Sequence, residues 1–293
     1  MSHGKIGVIG GSGLYAMAGL ENLREVEVST PFGLPSDAYM LGTLHGREMV
    51  FLPRHGRGHR LPPSAINFRA NIYGLKSLGV EWVIAVSAVG SMRDDIHPGE
   101  LVIPDQFVDR TYRRVSTFFE DLTVHIPFAD PVCGLLAQTL HQAAAQTPGT
   151  VHYGGTYLCI EGPQFSTRAE SRLFRQWGVD VIGMTNLPEA RLAREAELCY
   201  ATLALATDYD CWHESAADVD IGSILVILQR NVARAQAIIA QTVPQLSGPR
   251  SCPCSTALQS AIITERALIS EATRARLGLL INRYLTPEEG THG

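Results

Sequence analysis

Leu203-Ala204-Leu205-Ala206-Thr207-Asp208-Tyr209-Asp210 is the stretch on which the fold turns. An apolar run that stops at two carboxylates suits a strand buried on both faces, as in a parallel sheet with helices on either side. Ligands in open α/β sheets gather at the carboxyl ends of the strands. Asp208 and Asp210 therefore stand where a site is expected and where burial would perturb their protonation. From the residues alone the pair suits metal binding, acid–base work or ligand binding. Metal is the weaker reading, because residues i and i+2 share a face only if the strand continues, and no His is close.

The same alternation of short apolar runs and helical spacing extends outward in both directions. Strands are expected at Lys5–Ile9, Val26–Ser29, Ala38–Leu44, Glu48–Leu52, Trp82–Val86, Leu101–Pro104, Gly155–Ile160, Val181–Met184 and Tyr200–Thr207. Helices are expected at Ser64–Leu78, Asp130–Gln146, Arg168–Trp177, Pro188–Ala196 and Val219–Thr242. The pattern reads as α/β with a largely parallel or mixed central sheet. No Ser/Gly/Pro-rich linker divides the chain, so one domain is expected over residues 1–269. The helical tail, 270–293, is expected to pack on it and to fray after Leu285.

The 293 residues carry a net charge of -5, which gives no electrostatic footprint for nucleic acid. No run of about 18 apolar residues implies a membrane span, and the first residues do not form a signal peptide, so a cytoplasmic protein is expected. The 6 cysteines are expected as reduced thiols, several of them in the core. Cys252-Pro253-Cys254 could exchange disulfides or bind metal, but no second close Cys/His pair in the sequence completes a zinc pattern.

Other strand ends carry polar groups of a consistent kind. Gly11-Ser12-Gly13-Leu14-Tyr15-Ala16 fits a dinucleotide fingerprint, but too little chain follows for the crossover helix that fingerprint needs. Its backbone N–H groups can instead form a small anion nest with Ser12 as a further donor. Arg54 offers a planar fork suited to phosphate, with His55 beside it. Ser87 and Ala88 follow a strand whose small residues allow close backbone approach to a ligand. Phe165 could stack on a flat ring or simply plug the core, and Met184 and Thr185 end another strand. Together these suggest a site for a small anion plus a flat heterocycle.

With these segments in order, the chain resembles the trimeric purine nucleoside phosphorylase family from about Ile6 to about Leu246. The resemblance rests on IGVIGGSGLY (6–15), RHGRGHRLPPSAINFRANIYGLKSLG (54–79), SAVGSMRDDIHPGELVIPDQFVDRT (87–111), EGPQFSTRAESRLFRQWG (161–178), MTNLPEA (184–190) and ATDYDCW (206–212). It implies a single α/β domain around a mixed, distorted, barrel-like sheet flanked by helices, assembled as a homotrimer. It also implies attack of phosphate on the anomeric carbon of a purine nucleoside, with phosphate as co-substrate and no cofactor or resident metal. By matching segments, Ser12, Arg54, His55, Ser87, Ala88 and Thr185 resemble the phosphate site, and Met184 the residue under the ribose. Phe165, Ser166, Asp208 and Asp210 resemble the base site. Ile221, Ile224 and Leu225 resemble the pocket for the 5' substituent, and His125 a residue lent by a neighbouring subunit. Ser12 and Ser87 stand where many relatives have Thr, and both keep the hydroxyl.

Within that resemblance Asp208 is expected to be the general acid at purine N7, with Asp210 as its partner. A protonated carboxyl offers a donor and an acceptor, matching N7 and the 6-amino group of adenine, whereas a 6-oxopurine would face it with an oxygen. Ile221, Ile224 and Leu225 lie at i, i+3 and i+4 on one helical face, which suits an apolar 5' group. The expected reaction is phosphorolysis of methylthioadenosine to adenine and 5-methylthioribose 1-phosphate. The alternatives are a phosphorylase for methylthioinosine or 6-oxopurine nucleosides, and a non-catalytic nucleoside-binding protein.

Overall fold

β11 (Cys199–Asp208) runs through the middle of the molecule with both of its faces buried. Tyr200, Ala204 and Ala206 enter one apolar core, and Cys199, Ala201, Leu203 and Leu205 enter the other. A strand with no polar side to show must read as an unbroken apolar run. The computed structural model describes residues 4–213 and 221–285, without the side chains of Ser12, Ile221, Ser223 and Ile224.

β11 pairs in parallel with β5 (Val80–Ser91), from Cys199 opposite Trp82 to Asp208 opposite Gly90, with a register shift just before Asp208. The other edge of β5 changes partner along its length. Its first half pairs in parallel with β1 (Lys5–Gly10), and Gly90 and Ser91 pair antiparallel with β10 (Val181–Gly183). Beyond β1 come β4 (Arg47–Pro53), β3 (Tyr39–Leu44) and β2 (Glu21–Val26). Beyond β10 come β9 (Thr156–Ile160) and β7 (Gln106–Arg110), while β6 (Leu101–Ile103) and β8 (Val151–Tyr153) extend the far side of β11. Among the described residues the result is a mixed, branched sheet of 11 strands. The ends of β1, β4, β5, β10 and β11 are brought around one region by the partner change in β5.

Helices cover both faces. α1 (Phe68–Ser77), α4 (Asn186–Glu195) and α6 (Glu271–Leu285) pack on one core, and α2 (Gly134–Ala144) and α5 (Ile221–Thr242) on the other. α3 (Arg168–Gln176) puts Phe174 into a third, smaller cluster with Ile182 and Trp212. α6 buries Leu277, Leu280 and Ile281 in the main core. At about 2 kcal/mol for each such side chain, this is enough to hold the helix in place. No described helix is long and apolar enough to cross a membrane.

Several boundaries differ from the sequence reading. The expected helix from Ser64 begins at Phe68, because Asn67 caps it by accepting from Ala70 N at 3.1 Å. The helix expected from Asp130 begins after Cys133. β2 lies at 21–26 rather than 26–29; it is an edge strand with five of its six residues exposed, so it carries no apolar alternation to read. β7 and β8 were not expected. The glycine segment leads into one short 3-10 turn, Ser12–Ala16, and then directly into β2, leaving no crossover helix for a dinucleotide. Val219 and Thr286–Gly293 lie outside the described residues.

The cysteines are arranged in a way their spacing does not disclose. The fold brings Cys133, before α2, and Cys199, at the start of β11, against Cys252 and Cys254. The second pair of thiols missing from the local sequence is thus supplied by distant segments.

Candidate active site

Asp208 is the last residue of β11, and Asp210 follows on a turn at φ 53. Asp is among the few side chains that tolerate this left-handed conformation. The turn points the Asp210 backbone N–H at Asp208 Oδ1, at 2.7 Å, while the Thr207 hydroxyl lies 2.7 Å from Asp208 Oδ2. Burial raises the Asp208 carboxyl above its ordinary range, against the opposing pull of the Thr207 and Asp210 contacts. Asp210 is likewise raised by burial, with the Ser171 hydroxyl opposing. Gly90 is needed beside them, since a Cβ there would meet Asp208 Oδ1 at 2.9 Å.

The Thr207 hydroxyl is also 3.2 Å from the carbonyl of Val89. One hydroxyl hydrogen cannot serve both acceptors. If Asp208 carries a proton on Oδ2, that O–H donates to Thr207 Oγ1 and the Thr207 hydrogen goes to Val89 O. The hydroxyl of Thr207, the carbonyl of Val89 and Oδ2 of Asp208 are then all satisfied, which favours the protonated acid.

On the adjoining strands, hydroxyls from β5, β9 and the residue that follows β10 by two meet. Ser87 Oγ lies 3.1 Å from Thr185 Oγ1 and 3.2 Å from Tyr157 Oη. Tyr157 reaches this position across Gly183, where any Cβ would overlap its hydroxyl. Ala88 is exposed next to Ser87. Buried hydroxyls facing one another can reorient their hydrogens to donate to an anion.

Arg54 adjoins this group and is almost fully buried. Its fork is on Glu189, with Nε–Oε2 at 2.7 Å and Nη2–Oε1 at 2.8 Å. Nη1 donates to Val86 O at 2.8 Å and Nη2 to Ile9 O at 3.3 Å. Of the five N–H donors of a guanidinium, one on Nη1 has no partner among the described residues and is left for a ligand. The sequence reading gave Arg54 a fork free for phosphate; the structure turns that fork onto Glu189 and keeps Arg54 as a brace joining β1, β4, β5 and α4. Glu189 also accepts from Tyr200 Oη at 2.9 Å. Neither Glu189 nor Tyr200 stands out in the sequence, because each lies within an ordinary helix or strand pattern.

His55 lies 2.8 Å from the carbonyl of Leu61 through Nδ1, and its ring stacks on His59 with centroids 4.2 Å apart. A carbonyl only accepts, so Nδ1 carries the hydrogen and Nε2 is the acceptor in the neutral ring. Burial is the main cause that lowers the imidazole to about 4. His55 is therefore neutral at physiological pH.

The loop after β9 closes the other side. Gly162 faces Met184, where a Cβ would meet Sδ at 2.5 Å. Ser166 O accepts from the Cys211 thiol at 3.3 Å, which seats the loop against the Asp210 turn. Phe165 is 50 % exposed, so it is not a core plug, and its ring is available to a ligand. Arg114, not singled out from the sequence, ties β9 to β10 by donating to Glu161 O and Met184 O, both at 2.7 Å. The described contacts thus collect Arg54, His55, Ser87, Ala88, Ser166, Met184, Thr185, Asp208 and Asp210 along the end of β5 and its neighbours.

Three groups of candidates stand apart. The side chains of Ser12, Ile221 and Ile224 lie outside the described residues. Leu225 is 52 % exposed. Its helix nonetheless runs over the site, since Asn231 donates to Ala206 O at 3.0 Å and Gln236 to Gly13 O at 2.8 Å. His125 is exposed on a segment tied to residues 261–264, and it lines an open hollow of about 700 Å³ with Arg191 and Glu195.

Comparison with known proteins identifies the family. The phosphorylase superfamily matches residues 5–244. The chain is 59 % identical to S-methyl-5'-thioadenosine phosphorylase of Geobacter sulfurreducens over 96 % of this chain and 99 % of that one. It superposes on a methylthioadenosine phosphorylase from an antarctic soil metagenomic library with a TM-score of 0.91 at 48 % identity, covering 96 % of this chain and 100 % of the other. It also superposes on a variant of the adenosine/methylthioadenosine phosphorylase of Schistosoma mansoni in complex with methylthioadenosine, with a TM-score of 0.75 at 36 % identity. That match covers 83 % of this chain and 91 % of the other. The chain belongs to the phosphorylase superfamily.

Proposed function

We propose that this member of the phosphorylase superfamily transfers a pentosyl group to phosphate, converting S-methyl-5'-thioadenosine to adenine and 5-methylthioribose 1-phosphate. The observation that carries the proposal is the half-buried Asp208 carboxyl, raised above its ordinary range by desolvation, at the end of a strand that neighbours the paired hydroxyls of Ser87 and Thr185. The names of the similar enzymes support the same substrate.

Phosphate sits against Ser87, Ala88 and Thr185, with Ser12 and the free Nη1 hydrogen of Arg54 completing its contacts. His55 recognises it through Nε2, which accepts from a phosphate oxygen that keeps its proton. Phosphate then attacks the anomeric carbon as the bond to the base breaks. Its negative charge also opposes the positive charge that builds on the ribose, and positioning of this kind supplies several kcal/mol.

The departing purine gathers negative charge on its imidazole ring. Asp208 shifts its proton from Thr207 to N7, exchanging one hydrogen bond for another, and its second oxygen accepts from the 6-amino group. Asp210 holds that second oxygen in place through its backbone N–H. Phe165 and Ser166 border the base, and Met184 lies under the ribose. Ile221, Ile224 and Leu225 form the apolar wall for the methylthio group. The active assembly is a cytoplasmic homotrimer in which the exposed His125 serves a neighbouring site.

Incubating the protein with methylthioadenosine, with and without phosphate, tests this reading. Adenine and a pentose 1-phosphate are expected only with phosphate. Adenine without phosphate indicates a hydrolase, and no adenine in either case indicates a binding protein.

A further inference from the structure

Far from Asp208, at the opposite end of β11, the four sulfurs of Cys133, Cys199, Cys252 and Cys254 all lie within 4.8 Å of one another. The spacing from Cys199 to Asp208 along a strand is about 30 Å. The sulfurs of Cys199 and Cys252 lie 3.3 Å apart. Cys133, Cys199 and Cys254 are buried and Cys252 is half-buried. Packing alone does not require this, since three separate segments deliver four thiols to one point, two of them from Cys252-Pro253-Cys254. Four apolar side chains would fill the same space without placing weakly polar groups face to face.

A tetrahedral tetrathiolate with metal–sulfur bonds of about 2.3 Å has sulfur–sulfur edges of about 3.8 Å. The observed separations bracket that edge. Four protein ligands with no open position describe a structural rather than a catalytic centre, and an all-sulfur tetrahedral set selects zinc over harder cations. The surroundings suit the negative charge such a centre carries. Arg250 Nη1 lies 4.0 Å from Cys199 Sγ, and Cys133 is the N-cap residue of α2, where the helix dipole favours a thiolate.

We propose that Cys133, Cys199, Cys252 and Cys254 bind one zinc ion that clamps the C-terminal segment to the base of the sheet. Binding replaces four thiol protons: one Zn²⁺ and four thiols give a tetrathiolate complex and four released protons, with no change of oxidation state. The clamp acts beyond its own ligands. The segment that follows Cys254 buries Leu258 and Ala261, and Ala261 O accepts from His125 N at 2.9 Å. Fixing Cys252 and Cys254 therefore also fixes the backbone that supports the His125 segment.

Metal analysis of the protein purified under reducing conditions without chelator is the direct test. The expected result is about one zinc per chain, released when the four thiols are titrated with an organomercurial. Exchange into Co²⁺ should give visible bands and thiolate charge-transfer absorption of a tetrahedral sulfur site. Cys252→Ser with Cys254→Ser should lose the metal and the cobalt spectrum, while Cys211→Ser keeps both. Should the double variant fail to fold, the metal content and cobalt spectrum of the unaltered chain still decide. The proposal is overturned if that chain binds neither metal after reconstitution and all its thiols remain free. It is equally overturned if intact mass shows the chain lighter by two or four hydrogens, with these cysteines joined in disulfides.

Discussion

Replacing Asp208 by Asn isolates the proton that the carboxyl is proposed to deliver. The two side chains have the same shape, and the surroundings dictate how the amide sits. Its Oδ1 must accept from the Asp210 N–H, which lies 2.7 Å from the present Oδ1. Its Nδ2 then faces Thr207 Oγ1, which itself lies 3.2 Å from Val89 O and donates its hydrogen there. No buried partner is left unmade, so stability should stay within about 1 kcal/mol of the parent. Catalysis should not survive as well. An amide can hydrogen-bond N7 but cannot give it a proton, and losing a positioned general acid costs about 10²–10⁴ in rate, or about 3–5 kcal/mol of barrier. Steady-state release of adenine from methylthioadenosine at saturating phosphate, with thermal unfolding measured in parallel, separates the two effects. The expected result is a kcat lower by at least a hundredfold, a KM changed by only a few-fold and an unchanged Tm. A kcat within a few-fold of the parent would show that Asp208 is not the acid.

Other substitutions probe the remaining parts of the site. Thr185→Ala should raise KM for phosphate about ten- to a hundredfold while leaving KM for the nucleoside nearly unchanged, since a hydrogen bond to a charged group is worth about 1.5–3 kcal/mol; initial-rate kinetics in both substrates read the split. Glu189→Gln strands the Arg54 charge in the interior and should destabilise the protein by about 3–5 kcal/mol, seen as a lower midpoint in urea. His55 is lowered from 6.5 to about 4 in the folded protein, so between those pH values the unfolded chain binds the proton and the folded one does not. Stability should thus fall as pH drops through that window, by up to about 3 kcal/mol. His55→Gln should remove that part of the slope, and parallel unfolding curves that match the parent at every pH would refute the assignment.

What the sequence revealed follows from how much each element had to bury. β11, β5 and β1 are enclosed on both faces, and their apolar runs announced them along with the polar residues at their ends. β7 carries Gln106, Asp109 and Arg110 at one end of the sheet, and β8 is only 3 residues long, so neither had a pattern to detect. The hydroxyls of Ser87 and Thr185 were visible because they interrupt or follow apolar runs. Tyr157, Tyr200 and Glu189 were not, since their roles depend on which strands become neighbours. Arg54 was found but its brace to Glu189 was not, because nothing local to it reveals a partner 135 residues away. The same limit hid the cysteine cluster, whose members come from three segments joined only by folding.

The proposed substrate choice rests on one edge of one base, and one comparison tests it. Methylthioadenosine and methylthioinosine differ only at position 6, where the Asp208 carboxyl is proposed to accept from an amino group. With phosphate present, kcat/KM should favour methylthioadenosine by about ten- to a hundredfold, the cost of a buried mismatch of about 1–3 kcal/mol. Equal values, or a preference for methylthioinosine, would contradict the account.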